Sequence, residues 1–130
     1  MPWYAFQEAI EGAKGRRILF LDTCHAGNSY NQRLSNDSYQ ANIIVYSAAR
    51  WDQEALERSD LGHGLFTYAM VEGIEGQAAK GDNAGRVTTL GLRDFLLARV
   101  AEMAGKLGHA QEPQYFRGRD AENYLLATAP

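Results

Sequence analysis

Cys24 and Asp22 are the two residues that best fit a reactive site, because of the nature of their side chains and their spacing in the sequence. Cys24 is the single cysteine of 130 residues, so it forms no disulfide within the chain, and a free thiol becomes a nucleophile when it is deprotonated. Residues two apart on an extended backbone project to the same side, so Asp22 is expected beside whatever the thiol attacks. A nearby anion raises a thiol pKa, so Asp22 is a poor activator and a better group for holding a cationic part of a substrate. Gly27 permits a sharp turn after the thiol, which would expose backbone N–H groups to a developing oxyanion.

Apolar runs predict the strands that would position this pair. Ile18 to Leu21 and Ile43 to Tyr46 are short and unalternating, which is typical of strands buried on both faces of a parallel sheet. Residue spacing also predicts helices over 2–13, 64–75 and 88–107, and a last strand over 124–127. The segments 27–41 and 47–64 are polar without an apolar period and are predicted to be long loops.

The order of these elements predicts an α/β fold, a three-layer sandwich with a mainly parallel sheet. Reactive groups of open α/β sheets gather outside the carboxyl ends of the strands, and Cys24 follows the first predicted strand at that end. Doubly buried strands need partners and helices on both faces, yet only three strands are visible. We therefore expect the sheet to lack members on one side.

Composition argues against two classes of partner. The thirteen Lys and Arg are scattered among sixteen Asp and Glu, for a formal net charge of -3, so no basic surface for nucleic acid or for an anionic membrane is predicted. No apolar run approaches the roughly 20 residues that span a bilayer. No signal segment follows Met1, so a cytoplasmic location is expected.

The segment from Arg17 to Gly27 reads RILFLDTCHAG. Its Asp-x-Cys-His-x-Gly pattern resembles the cysteine segment of caspase-like peptidases, specifically metacaspases and bacterial caspase-like proteins, whereas true caspases carry Gln-Ala-Cys-x-Gly. Three later stretches are similar to the same family in order and spacing: Tyr46 to Arg50 with Asp52 and Gln53, Gly62 to Tyr68, and Gly85 to Thr88. The resemblance covers nearly the whole chain and implies a caspase-like fold.

The resemblance implies a cysteine endopeptidase in which Cys24 is the nucleophile. Asp22 would line the pocket for the residue before the scissile bond, and Ser47, at the end of the next strand, is a weaker candidate for the same wall. A carboxylate in that pocket implies cleavage after Arg or Lys of a peptide or protein substrate. True caspases, which prefer Asp, need basic residues there instead.

The resemblance also implies a general-base histidine that precedes the cysteine by about 50 residues. Only 23 residues precede Cys24 here, and none of them is histidine. We therefore expect residues 1–130 to be the C-terminal part of one caspase-like domain. Its expected partners are the substrate, the N-terminal part that carries the histidine and further strands, and a second copy through an unpaired sheet edge.

The histidines within the chain are weaker candidates for the base. Adjacent residues on an extended backbone face opposite sides, so His25 is expected to be structural or at the pocket rim. His63 lies between two glycines where a predicted helix opens, which favours a structural role. His109 falls in a Gly-rich turn and is predicted to be at the surface.

No cofactor is predicted. The cysteine and the three histidines lack the Cys-x-x-Cys or His-x-x-x-His spacing of a zinc site. Asp82 to Gly85 fails as an EF-hand, because the required register puts Lys80 and Gly91 where carboxylates are needed. Calcium stays an open alternative, since some metacaspases depend on it through other acidic residues. One acidic cluster is available here, although we favour a solvated charged loop: Asp52, Glu54, Glu57 and Asp60.

Two other interpretations of the sequence compete with that of a peptidase. A non-catalytic caspase-like module would keep the fold as a scaffold and bind a partner along its unpaired sheet edge. A generic flavodoxin-like domain with an incidental cysteine would require a phosphate-binding glycine-rich loop, and none follows either strand.

Overall fold

The computed structural model describes residues 17–21, 35–40, 42–48, 57–58, 63–79, 84–119 and 123–128. Its strands are β1 (Ile18–Leu21), β2 (Ile44–Ser47), β3 (Glu57–Arg58), β4 (His63–Gly64), β5 (Arg86–Thr88), β6 (Gln114–Phe116) and β7 (Leu125–Thr128). Its helices are α1 (Leu65–Ile74) and α2 (Thr89–Lys106), with a 3-10 turn at Gln77–Ala79 and a helical segment over 35–40. The helix predicted over 2–13 lies outside the described residues.

A three-stranded sheet with the order β1-β2-β6 carries the two strands predicted from apolar runs. β1 and β2 run parallel, with Ile18 opposite Ile44 and Leu21 opposite Ser47. β6 runs antiparallel to β2, so this part of the sheet is mixed, whereas the sequence predicted a mainly parallel one. The protein is accordingly of the mixed α/β class.

Alternate residues of β2, together with Ile43 directly before it, belong to two different apolar clusters. Ile44 and Tyr46 join the large cluster formed with α1 and α2. Ile43 and Val45 form a small cluster with Leu21 on the opposite face. Every residue of β2 is buried, which confirms the prediction that this short unalternating run is covered on both faces.

The helices α1 and α2 pack against each other and against the face of β2 that carries Tyr46. Their buried apolar residues recur at helical spacing: Leu65, Phe66 and Ala69 on α1, and Leu92, Leu96 and Val100 on α2. A side-chain carbon built at Gly73 would lie 2.7 Å from Cδ1 of Leu92, so glycine allows a close approach of the two helices. The predicted spans 64–75 and 88–107 are confirmed to within one residue at each end.

A second, two-stranded sheet joins β5 to β7 in antiparallel fashion. The strand predicted over 124–127 is therefore present, and its partner is a strand that was not predicted. Buried Thr89 links this sheet to the first one. Its carbonyl accepts a hydrogen bond of 2.6 Å from the Tyr46 hydroxyl, and its N–H donates one of 2.8 Å to the Tyr124 carbonyl.

The two predicted loops contain regular structure. Residues 35–40, within the predicted loop 27–41, are helical, and Asn42 ends the segment at a φ of 57°, a left-handed conformation that asparagine tolerates. The buried residue of this segment is Ser38, which is polar, so no apolar period in the sequence indicates the helix. Within the predicted loop 47–64, β3 and β4 pair antiparallel. Strands of two or three residues are too short to show a period.

Among the helices of the described residues, none has both the length and the apolar character needed to cross a bilayer.

Candidate active site

The carboxyl ends of β1 and β2 lie side by side. Leu21 is opposite Ser47, and the Ala48 N–H donates a 2.9 Å hydrogen bond to the Leu21 carbonyl, which extends the parallel ladder one residue beyond β2. On the other side of β2, Ser47 is opposite Gln114 of β6. We call this group of strand ends, with Gln111, the carboxyl edge: Leu21, Ser47, Ala48, Gln111 and Gln114.

Of the residues predicted to act in catalysis or substrate binding, Ser47 lies at the carboxyl edge and the others follow β1 in the sequence. Ser47 is the last residue of β2 and is 8% exposed. Asp22, Cys24 and Gly27 lie outside the described residues, and in sequence they follow the last residue of β1 by one, three and six positions. The structure thus brings Ser47 next to the residue from which the cysteine segment departs.

Gln111 is the polar residue of this edge that sequence analysis missed. Its side chain is 1% exposed, and its Nε2 donates a 2.9 Å hydrogen bond to the carbonyl of Ala48, 63 residues earlier in the chain. Glutamine is rarely buried so completely without a partner that requires it. Pro113 was the available local signal for β6, because proline is tolerated at the beginning of a strand. No pattern in the sequence predicts a contact between Gln111 and Ala48.

Behind the edge lies an aromatic stack. The ring of Tyr46 is stacked on Phe20 at 5.0 Å between centroids and tilted against Tyr115 at 5.3 Å. Burial raises the pKa of Tyr46 well above that of a free phenol, with the neighbouring Tyr115 adding to the effect. Burial likewise raises the pKa of Tyr115. Tyr46 therefore stays protonated and donates to Thr89, which makes it a structural hydrogen-bond donor rather than an acid or base for catalysis.

A small, open depression lies beside this stack. Its walls are mainly apolar and aromatic, and they include Arg93, whose guanidinium lies 5.6 Å from the centre of the Tyr115 ring. Its lining contains no carboxylate among the described residues. A guanidinium repels the side chain of Arg or Lys, so this depression does not fit the predicted pocket for a basic residue.

Two of the three histidines belong to the described residues. His63 belongs to β4, directly before α1. His109 is exposed and follows Gly108, whose φ is 74°, as expected of a surface turn. The described residues contain no group of three or more His, Cys, Asp or Glu side chains arranged to hold a metal ion. His25 and most of the acidic cluster of residues 52–60 lie outside them.

Comparison with protein-family models, with curated proteins and with solved structures gives no significant match to this chain.

Proposed function

We propose that this chain is the cysteine-bearing part of a caspase-like cysteine endopeptidase that cleaves after Arg or Lys. The observation that supports it best is the parallel register of β1 and β2, which puts Ser47 opposite Leu21. Active sites of α/β sheets form outside the carboxyl ends of adjacent parallel strands. The motif with Asp22 and Cys24 follows the carboxyl end of β1 in the sequence. The stretch that starts at Tyr46 contains the carboxyl end of β2, which lies next to the end of β1.

In the proposed reaction the Cys24 sulfur attacks the carbonyl carbon of the basic residue itself. A histidine outside this chain takes the thiol proton and then gives it to the leaving amine, so that a thioester forms as the peptide bond breaks. Water, deprotonated by the same histidine, attacks the thioester and releases the new carboxyl group and the free thiol. Backbone N–H groups at the Gly27 turn stabilise the oxyanion, and Asp22 holds the substrate cation.

The finer fold proposal is a caspase-like three-layer sandwich of which these residues form a part. It is supported by the position of the two long helices, α1 and α2, after the parallel pair β1 and β2 in the chain, and by the double burial of β2. The helix layer formed by α1 and α2 supplies one of its outer layers. The proposal expects a second helical layer against the small cluster of Leu21, Ile43 and Val45.

The experiment is a competition between two electrophiles on a chain with one thiol. Two peptidyl ketones that differ only in carrying Arg or Asp next to the electrophilic carbon are reacted with the native chain, and intact mass follows the adduct on Cys24. We expect the Arg reagent to react at least about tenfold faster, because close charge pairs at an interface contribute about 1.5 kcal/mol or more and about 1.4 kcal/mol corresponds to a factor of ten. Iodoacetamide, which has no side chain to recognise, reports the intrinsic reactivity of the thiol.

Matched charge variants separate a pocket from general attraction to an acidic protein. Asp22→Asn should bring the Arg-to-Asp rate ratio close to one while leaving the iodoacetamide rate nearly unchanged. Asp94→Asn removes the same charge from an exposed position on α2 and should keep the ratio. Equal rates for both reagents on the unmodified chain would refute cleavage after basic residues.

Turnover is the second readout. Arg-containing peptides should be hydrolysed only when a polypeptide with the histidine-bearing strand is added, and Cys24→Ala should abolish that hydrolysis. Repeating the assay with calcium and with a chelator tests whether calcium is required. Failure of every such combination to hydrolyse the peptide would count against an enzyme.

A non-catalytic interaction module is the second candidate, and one observation favours it. In the described part of the sheet β1 pairs with β2 alone, and Ile18, Leu19 and Phe20 are half-buried rather than buried. A strand at the edge of a sheet presents backbone groups to which another strand can add. Under this proposal Cys24→Ala leaves partner binding or self-association on a size-exclusion column intact.

A further inference from the structure

Gln111 is a buried amide whose place in the fold calls for an explanation. It precedes β6 by three residues, is 1% exposed, and reaches across to the backbone beyond the end of β2. Burying a primary amide is unfavourable unless it is hydrogen-bonded, and an apolar residue of similar size fills space without that cost. An apolar residue in this place could not donate the hydrogen bond that Gln111 gives to the Ala48 carbonyl.

The carbonyl that Gln111 contacts is the next acceptor of the parallel ladder. The N–H of Ile44 donates to Arg17 at one end of the paired segment, and the N–H of Ala48 donates to Leu21 at the other. In a parallel ladder, a residue whose N–H donates to the neighbouring strand accepts the following bond with its own carbonyl. At Ala48 that carbonyl accepts the Nε2 of Gln111 at 2.9 Å.

Ala48 is thus held on both sides of its α-carbon. Its N–H is bonded to the last residue of β1, its carbonyl to Gln111, and its side chain is fully buried in the large core cluster. Gln114, three residues after Gln111, is at the same time opposite Ser47. The segment from 111 to 114 therefore fixes the end of β2 through one side-chain bond and one strand pairing.

We infer that Gln111 is a positioning residue for the carboxyl edge: it holds Ser47 and Ala48 at a fixed place relative to the end of β1. The inference rests on the proposed function, because the cysteine segment starts at that end of β1. Gln111 touches no substrate atom in this account. Its loss should let the chain after β2 move relative to the chain after β1, and recognition of a peptide that contacts both would weaken more than the reactivity of the thiol itself.

The test uses Gln111→Met, which keeps the length of the side chain and removes the Nε2 donor. Val100→Ala is the matched control, because Val100 is fully buried in α2 and its truncation lowers stability without touching the edge. Two quantities are measured under conditions where each variant is folded. One is the Arg-to-Asp rate ratio for the peptidyl ketones on Cys24, and the other is hydrogen exchange of the Ala48 amide.

Gln111→Met should lower the Arg-to-Asp ratio several-fold with the iodoacetamide rate nearly unchanged. It should also speed exchange of the Ala48 amide by about tenfold relative to core amides of α2. Val100→Ala should keep the ratio and should not single out the Ala48 amide. Where Gln111→Met fails to fold, Gln111→Asn, which keeps the amide on a side chain one methylene shorter and so withdraws the donor from the Ala48 carbonyl, takes its place in both measurements.

An unchanged ratio or an unchanged Ala48 exchange in the folded variant overturns the inference and leaves the proposed peptidase untouched. A wild-type chain that shows no preference for the Arg reagent overturns the proposed function instead. In that case the exchange of the Ala48 amide alone decides whether Gln111 holds the edge.

Discussion

The helical layer and the carboxyl edge of the sheet are stabilised by different interactions. In the layer, α1 and α2 bury fully apolar side chains against the face of β2 that carries Tyr46. At the edge, the polar side chains of Ser47, Gln111 and Gln114 lie beside the strand ends, and Ala48 is hydrogen-bonded to Leu21 and Gln111. The layer therefore determines how stable the fold is, whereas the edge determines where a few backbone and side-chain atoms lie.

This contrast predicts a separation of effects. Substitutions in the helical layer should change the free energy of unfolding and leave the recognition of peptides by the folded protein intact. Substitutions at the edge should weaken the recognition of peptides by the folded protein, beyond any loss of stability that they cause. Each of the following measurements either supports that separation or breaks it.

Leu92→Ala should have the largest effect on stability. Leu92 is fully buried between α1 and the sheet, and leucine truncations in such sites cost about 2–5 kcal/mol because a cavity remains. Urea unfolding measures the loss. Leu97→Ala, at an exposed position of the same helix, is the control and should change stability by less than about 0.5 kcal/mol. Equal losses of stability in Leu92→Ala and Leu97→Ala would mean that burial in the helical layer does not determine the stability of the fold.

Tyr46→Phe should cost about 1–3 kcal/mol, because it leaves the Thr89 carbonyl without the 2.6 Å bond that the hydroxyl donates. It should also alter the alkaline limb of stability. Burial raises the pKa of Tyr46, so the folded state retains the proton more tightly than the unfolded state. The stabilisation is complete below about pH 10 and is lost as the pH rises beyond that value.

Urea unfolding at increasing alkaline pH tests this sign. Wild-type stability should fall more steeply than that of Tyr46→Phe, with a residual fall from Tyr115, whose pKa burial also raises. Parallel curves would show that Tyr46 titrates alike in both states.

Two glycines of the helical layer should respond to alanine with opposite signs. Gly73→Ala brings its new carbon within 3 Å of side-chain atoms of Leu92 and Phe95, and overpacking of this kind costs about 1–3 kcal/mol, against a gain of about 1 kcal/mol in helix propensity. Gly105→Ala meets no atom within 4 Å and should stabilise α2 by up to about 1 kcal/mol. Thermal unfolding of both variants checks the signs, and two stabilised proteins would contradict the close helix contact.

Arg99→Gln should have the smallest effect. Arg99 Nε lies 2.9 Å from Oε1 of Glu72 and connects α2 to α1, but both side chains are about one-quarter exposed. The hydrogen bond that Arg99 donates to Glu72 raises the pKa of Arg99, and the guanidinium is charged throughout. We expect a loss below about 1 kcal/mol that shrinks in high salt. A double-mutant cycle with Glu72→Gln isolates the pair, and a salt-independent coupling of several kcal/mol would refute this ranking.

The sequence predicted best those elements in which burial follows a regular period. The strands at Ile18 and Ile44 and the two long helices were predicted to within one residue, because continuous apolar runs and helical spacing reflect the surfaces that become buried. The mixed pairing of the sheet was not predicted, since β6 is three residues long and its direction is set by the path of the chain after α2.

Within the candidate site, the sequence predicted the position of Ser47 but not the contact between Gln111 and Ala48. Ser47 was predicted at a strand end and is found there. Gln111 was missed because its bond to Ala48 spans 63 residues, and a single buried amide produces no pattern in a linear sequence. The same applies to the segment 35–40, whose buried residue is a serine.

The most direct test of the central claim is the Arg-to-Asp rate ratio of labelling at Cys24 in the native chain, measured beside Asp22→Asn and Asp94→Asn. We expect a ratio of at least about ten that falls close to one in Asp22→Asn and persists in Asp94→Asn. A ratio near one in the unmodified chain, or a ratio that both asparagine variants lower equally, would contradict it.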